Sequence, residues 1–225
     1  MTILAEGVRV SFADDRGTPF TVLAVDRFAP KPGAVTVITG PSGSGKTTLL
    51  YVLAGLQPPN QGSVWHTGAD IYALGEGRRD RWRRQTIGLI FQDFHLIPEL
   101  SILANVTLPA TFAGGGGGRN GIGFLGRLGV PIAGRTVGAL SRGEQQRVAI
   151  ARAMAFDPPV ILADEPTASL DSVAGAEVRA ILTQLARDGR TVVIVSHDAA
   201  TVGAADATLR LESGREAAPQ HAVAA

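Results

Sequence analysis

VTVITGPSGSGKTTLLYVLAGL, Val35 to Leu56, is the stretch that decides how this chain folds. Its first five residues form a short β-branched run, the pattern of a buried strand, and Leu49, Leu50, Leu53 and Leu56 then return at helical spacing. Between strand and helix stands the full G-x-x-x-x-G-K-[ST] pattern: Gly40, Pro41, Ser42, Gly43, Ser44, Gly45, Lys46 and Thr47, with Thr48 behind it. Glycines let backbone N–H groups turn inward around a phosphate, and the helix N-terminus adds the positive end of its dipole. Lys46 would reach the β- and γ-phosphates of a nucleoside triphosphate as a point charge, and the Thr47 hydroxyl would bind Mg2+. The plain alternative is a glycine–serine turn ahead of a core helix. Both glycines, the Lys–Thr pair and the strand–helix setting together weigh against it. The loop alone leaves kinases, GTPases, helicases and transport ATPases open.

Outward from this unit, IGLIF (Ile87 to Phe91), VILA (Val160 to Ala163) and TVVIV (Thr191 to Val195) are equally short, apolar and continuous. Such runs are buried on both faces, which predicts an α/β fold with a parallel sheet and helices on either side. Helices are expected from about Arg142 to Phe156 and from Val173 to Arg187, the second stopped by Gly189. The residues before Val35, together with Gly62 to Ile71, read as antiparallel β. From Gln92 to Arg142 no strand pattern appears, and Gly114 to Gly118 interrupt the chain. This predicts an inserted, mostly helical lobe at about 92–156, within a catalytic core formed by 1–91 and 157–214. Residues 215–225 lack periodicity and read as a frayed, flexible tail.

Composition narrows the class. With 21 basic and 20 acidic residues the net charge is +1, far from the Lys/Arg excess that a sequence-independent grip on nucleic acid needs. Cysteine is absent, which excludes a disulfide framework and any Cys-ligated metal. His66, His95 and His221 are too scattered to form a metal site. Lysine occurs only at Lys31 and Lys46, so its place in the phosphate loop of an arginine-rich chain points to a task that arginine does not perform. The charge-free run from Leu100 to Gly118 is long enough to raise a membrane span. Ser101, Asn105, Thr107, Pro109, Thr111 and the glycines would leave polar groups and a broken helix in hydrocarbon. Glu6 and Arg9 likewise interrupt the apolar start that a signal peptide requires. The expectation is a soluble chain that reaches a membrane only through a partner. GRRDRWRR, Gly77 to Arg84, is either a nucleic-acid patch or a solvated helix face, and the balanced total charge favours the face.

Two further motifs carry chemistry. In VILADEPTASLD, Val160 to Asp171, a buried strand ends in Asp164, placing a carboxylate at the sheet's carboxyl edge where it can hold Mg2+. Glu165 follows where it could polarise an attacking water; Asp–Glu in isolation reads better as a solvated strand end, but a second carboxylate fits hydrolysis better than transfer to a protected acceptor. In LSRGEQQRVAIARA, Leu140 to Ala153, Ser141 and Gly143 stand just ahead of a strong helical run and offer a second anion site at a helix N-terminus. Ser141 is equally an N-cap, with Glu144 completing a capping box. The two readings are compatible. A second phosphate cradle fits best if it serves the nucleotide held by another copy.

Taken in order, these motifs resemble the nucleotide-binding domain of the ATP-binding cassette (ABC) family, over roughly Val8 to Gly214. The matching pieces are GPSGSGKT, Gln92 in IFQDF, LSRGEQQR, VILADE, SLD at Ser169 to Asp171, and His197 in IVSHD. RRQTIGLIFQDFHLIPELSILANV looks in particular like the lipoprotein-release, macrolide-export and cell-division branch (LolD/MacB/FtsE-like). The resemblance implies a P-loop NTPase (RecA-like) core with an antiparallel β subdomain and an inserted α-helical subdomain. It also implies a head-to-tail homodimer closing over two ATP, each with Mg2+. Lys46 and Thr47 of one copy would face Ser141 and Gly143 of the other, and Asp171 would cross the interface. Gln92 would touch Mg2+ or the water, with Thr47 and Asp164 on the metal, while Glu165 acts as base and His197 holds the γ-phosphate. Phe12 stands where the family places an aromatic that stacks on adenine; a buried strand aromatic is its other reading. The signature departs from the usual LSGGQ at Arg142 and Glu144. Arg142 either brings charge toward the γ-phosphate or points outward.

The function so implied is an ATPase subunit driving a separate integral-membrane permease. An exporter of lipoprotein-release or macrolide-export type is expected, with the chain held at the cytoplasmic face through that partner. The alternative within the branch is a mechanical signal to a membrane partner, with no substrate moved. DNA-repair and chromosome ATPases share the signature but separate it from the phosphate loop by coiled coils or zinc modules. Here Lys46 and Ser141 are close in sequence, with no heptad run and no cysteine between them.

Overall fold

The computed structural model describes residues 3–113, 118–130 and 135–217. Four strands, β3 (Val35–Thr39), β8 (Thr191–Val195), β7 (Val160–Asp164) and β6 (Ile87–Ile90), lie side by side and parallel. Every residue of β7 and β8 is buried. The two-residue period of the strands feeds their side chains alternately into two cores. Leu162, Val193 and Val195 pack with Ile38 and with Leu49, Leu50 and Leu53 of α1 (Lys46–Leu53). Ile161, Ala163, Val192 and Ile194 face the other way, toward α5 (Arg142–Ala153) and α6 (Ser172–Arg187). Each fully buried aliphatic side chain contributes about 1.5–3 kcal/mol by leaving water, before its lost conformational freedom is counted.

The antiparallel half is built from β1 (Ile3–Ala13), paired with β2 (Pro19–Phe28) on one side and β4 (Gln61–His66) on the other, with β5 (Ala69–Asp70) beyond β4. Two strands not anticipated from the sequence join the halves. β9 (Ala207–Glu212) runs parallel to β3, burying Leu209 and Leu211 while Arg210 and Glu212 stay exposed. β10 (Arg215–Glu216) pairs antiparallel with β9 and parallel with β2 at Ala24. The result is one ten-stranded sheet in the order β5-β4-β1-β2-β10-β9-β3-β8-β7-β6. Arg215 and Glu216 are thus sheet residues and not part of a tail. Residues 218–225, His221 among them, lie outside the described residues.

Between β6 and β7 the described chain is helical: α3 (Ile102–Phe112), α4 (Arg119–Arg127), a 3-10 turn at Val137–Ala139 and α5. Ser101 caps α3 by accepting from the Ala104 N–H, and Gly118 opens α4. The rest of the glycine run, 114–117, lies outside the described residues. Among the described residues no helix is long and apolar enough to cross a membrane. The arginine cluster forms α2 (Glu76–Thr86), one face of it solvated as expected and the other packed. Trp82 donates its Nε1–H to His66 Nδ1 at 3.1 Å, and Arg83 donates to the Gly55 carbonyl at 3.1 Å. Arg78, Arg81 and Arg84 are the exposed remainder.

Candidate functional site

Parallel pairing brings the chemistry together at the carboxyl ends of β3, β8 and β7, which are adjacent in that order. Gly40 leaves β3 at φ 144°, and a Cβ there would stand 2.1 Å from the Leu211 carbonyl oxygen. Gly45 precedes α1 at φ 90°, and a Cβ there would meet the Val22 carbonyl oxygen at 2.6 Å. Only glycine lets the loop pass between β9 and β2 and enter the helix so sharply. Lys46 Nζ lies back along the loop and donates to the carbonyls of Gly40 and Pro41, at 3.0 and 2.9 Å.

A cleft of about 270 Å3 opens above the loop. Ser42 to Thr48 form its floor, and Gln92, Asp164, Glu165, Val22 and Val195 form its walls. Asp164 is buried at the end of β7. Burial raises its carboxyl pKa above the ordinary carboxylate value; a hydrogen bond from the Thr47 side chain opposes the rise, the Glu165 charge adds to it and Lys46 lowers it. Glu165 sits at φ 44°, a left-handed conformation unusual for a non-glycine residue, with its N–H donated to the Val195 carbonyl at 2.9 Å. Such backbone strain is characteristic of functional sites. Its carboxylate meets His197 Nδ1 at 2.7 Å; the histidine side chain is 73% exposed and that of Glu165 13%. His197 therefore joins the cleft through Glu165 and does not line it.

Ser141, Gly143 and Asp171 are not in this cleft. They line a second one of about 480 Å3, together with Arg142, Arg147 and Ser169, and the two clefts share no residue. Ser141 and Glu144 form a full capping box on α5: the Ser141 N–H donates to Glu144 Oε2 at 2.8 Å and the Glu144 N–H to Ser141 Oγ at 3.2 Å. The Ser141 backbone bond is the main cause of a lowered Glu144 pKa. Asp171 caps α6, accepting from the N–H groups of Val173 and Ala174 at 2.9 Å each. Phe12 is not a buried strand aromatic. It is 45% exposed beside its cross-strand partner Phe20, itself 49% exposed, with ring centroids 6.4 Å apart.

Several supporting residues escaped sequence reasoning. Val22 walls the phosphate cleft from β2. Asn105, fully buried on α3, holds the preceding loop by accepting from the Ile97 N–H at 2.8 Å and donating to the Ile97 carbonyl at 3.0 Å. A polar residue inside the apolar run ILANVTL was its one visible sign. Arg152, on the last turn of α5, donates to the carbonyls of Phe94 and His95, just after Gln92.

Comparison with known proteins agrees with this geometry. The family model described as ABC transporter matches residues 25–168. The chain is 42% identical over 218 residues to the macrolide export ATP-binding/permease protein MacB of Rhodopseudomonas palustris, covering 95% of this chain and 33% of that protein. It thus spans about a third of the length of such MacB relatives. It is 43% identical over 187 residues to the lipoprotein-releasing system ATP-binding protein LolD 1 of Rhodopirellula baltica, covering 80% of this chain and 81% of that one. Among solved structures, the dimeric bacterial ABC transporter cassette MJ0796 superposes with a TM-score of 0.85 at 34% identity, covering 95% of this chain and 96% of that one. The same cassette is known as a dimeric post-hydrolysis state bound to ADP and Pi, again with a TM-score of 0.85. With the phosphate loop, the acidic strand end and the signature helix in this arrangement, the chain belongs to the ABC transporter family, as one of its ATP-binding cassettes.

Proposed function

We propose that this chain binds and hydrolyses ATP as one of two copies closed head to tail over two nucleotides, and that closure drives an integral-membrane permease of the MacB/LolD exporter kind. The observation that carries this reading is the division of the chemistry between two clefts with no residue in common. Phosphate loop and acidic pair occupy one, the signature cradle the other, so each cleft is half of a site. A second copy supplies the missing half. The chain itself would be held at the cytoplasmic face of the membrane through the permease.

The residues present fit the expected ligands. Ser44 Oγ is buried in the loop with no partner among the described residues, and the Asp164 carboxyl is raised by burial, as befits a group whose counter-ion arrives with the substrate. Lys46 and the N–H groups of the loop and of the α1 N-terminus would neutralise the phosphates. Thr47, Asp164 and Gln92 would hold Mg2+, which when bound offsets charge on the phosphate oxygens. Glu165 takes a proton as water oxygen bonds to the γ-phosphorus, and the bridging oxygen leaves with its electron pair on ADP. General-base help of this kind is worth about 10²–10⁴-fold in rate. His197 orients the Glu165 carboxylate and reaches the γ-phosphate as the cleft closes. Ser141 and Gly143 bind the phosphates of the other copy's nucleotide, Asp171 lies at the interface, and Phe12 stacks on the base. Release of phosphate from ATP by the purified chain tests the reading. Lys46→Ala should lose nucleotide affinity about 100-fold while its circular dichroism stays native, because among the described residues the lysine bonds to its own loop alone. Tight binding by that variant would contradict the assignment.

A further inference from the structure

Gln92 and the signature cradle belong to different clefts, yet one small structure holds both. The turn that follows Gln92 places two successive non-glycine residues in the left-handed region, Phe94 at φ 59° and His95 at φ 48°. Such a turn costs energy and persists only when its surroundings hold it. Helix α5 does so from both ends. At its C-terminal end Arg152 donates to the carbonyls of Phe94 and His95. At its N-terminal end the Arg142 guanidinium carbon stands 5.2 Å from the centroid of the Phe94 ring, a cation–π contact. Phe94 is itself buried, so the contact is made at the edge of the packed lobe. Arg142 also lines the signature cleft between Ser141 and Gly143. No carboxylate among the described residues forms an ion pair with it, so the Phe94 ring is its observed partner.

We infer that Arg142 is a positioning residue: through Phe94 it locks the signature cradle to the turn carrying Gln92, so that occupation of a copy's own phosphate cleft sets the cradle it offers to its partner. The inference deepens the proposed function, resting on it for the consequence but not for the contact. Gln92 drawn toward a phosphate would move Phe94, and α5, gripped at both ends, would move with it. Glycine at position 142 would leave only the Arg152 grip. A rigid element biased by two sites is the physical basis of coupling between them.

Two measurements test this. Hydrogen exchange of the segment 92–97 in the nucleotide-free chain should quicken about 3–10-fold in Arg142→Gln, the loss of one cation–π contact, and stay near the native rate in Arg142→Lys. Unchanged exchange in Arg142→Gln would overturn the lock. In steady-state ATP hydrolysis, Arg142→Gln should lower kcat about 3–10-fold with KM unchanged and bring the ATP dependence closer to non-cooperative, while Arg142→Lys restores most of the rate. Quickened exchange with native kcat and cooperativity would reduce Arg142 to a structural contact and overturn the positioning role. If the native chain releases no phosphate from ATP, the proposed function fails, and the exchange rates still decide whether the lock exists.

Discussion

Asp164 shows at one residue how stability yields to function. Its folded pKa is raised by burial, so the folded chain takes up a proton more readily than the unfolded chain. Stability from this group is therefore present at low pH and lost as pH rises through the folded pKa, leaving a buried carboxylate that costs stability at neutral pH. Asp164→Asn keeps an oxygen that can accept from Thr47 and removes the charge. Without divalent cation its thermal midpoint at pH 7 should rise by about 2–4 °C, the shift on the order of 1 kcal/mol makes in a chain of this size, while phosphate release from ATP is lost. A lower midpoint would show that the carboxylate is compensated in the folded state. Asp164 and Glu165 were legible from their place after a buried apolar run. The left-handed backbone of Glu165 and its contact with His197 were not, because both depend on β8 lying between β7 and β3.

Among the elements, the four parallel strands and α5 and α6 could be read from periodicity alone, since buried β-branched runs and helical spacing are local signals. β9 and β10 were missed. ATLRLE does alternate, but it is short and half exposed, and the two-residue β10 is defined wholly by its partners. The arginine-rich helix α2 was legible as a helix but not as a packed one, because its anchor is His66 on a distant strand. That anchor has a pH signature. His66 Nδ1 accepts from Trp82, and burial lowers its pKa below the ordinary value. The unfolded chain then binds a proton near pH 6.5 that the folded chain resists, so stability is full above that pH and falls as acid is added. Thermal stability should fall between pH 7 and 5, and His66→Gln, which retains an acceptor for Trp82, should flatten that part of the profile. An unchanged slope in the variant would place the acid sensitivity elsewhere.

At the scale of the whole molecule, the proposed function makes the two clefts half-sites that a second copy completes. The motifs in the sequence pointed to two phosphate cradles; the structure separates them into clefts that share no side chain. On the proposed function, pairing assembles a working site and hydrolysis takes it apart. The most direct test is the mass of Glu165→Gln by size-exclusion chromatography with light scattering, with and without Mg2+ and ATP, alongside phosphate release. The account predicts a monomer without nucleotide, a stable dimer with ATP, and turnover reduced about 10²–10⁴-fold. A variant that stays monomeric with saturating ATP, or that releases phosphate at the native rate, would contradict it.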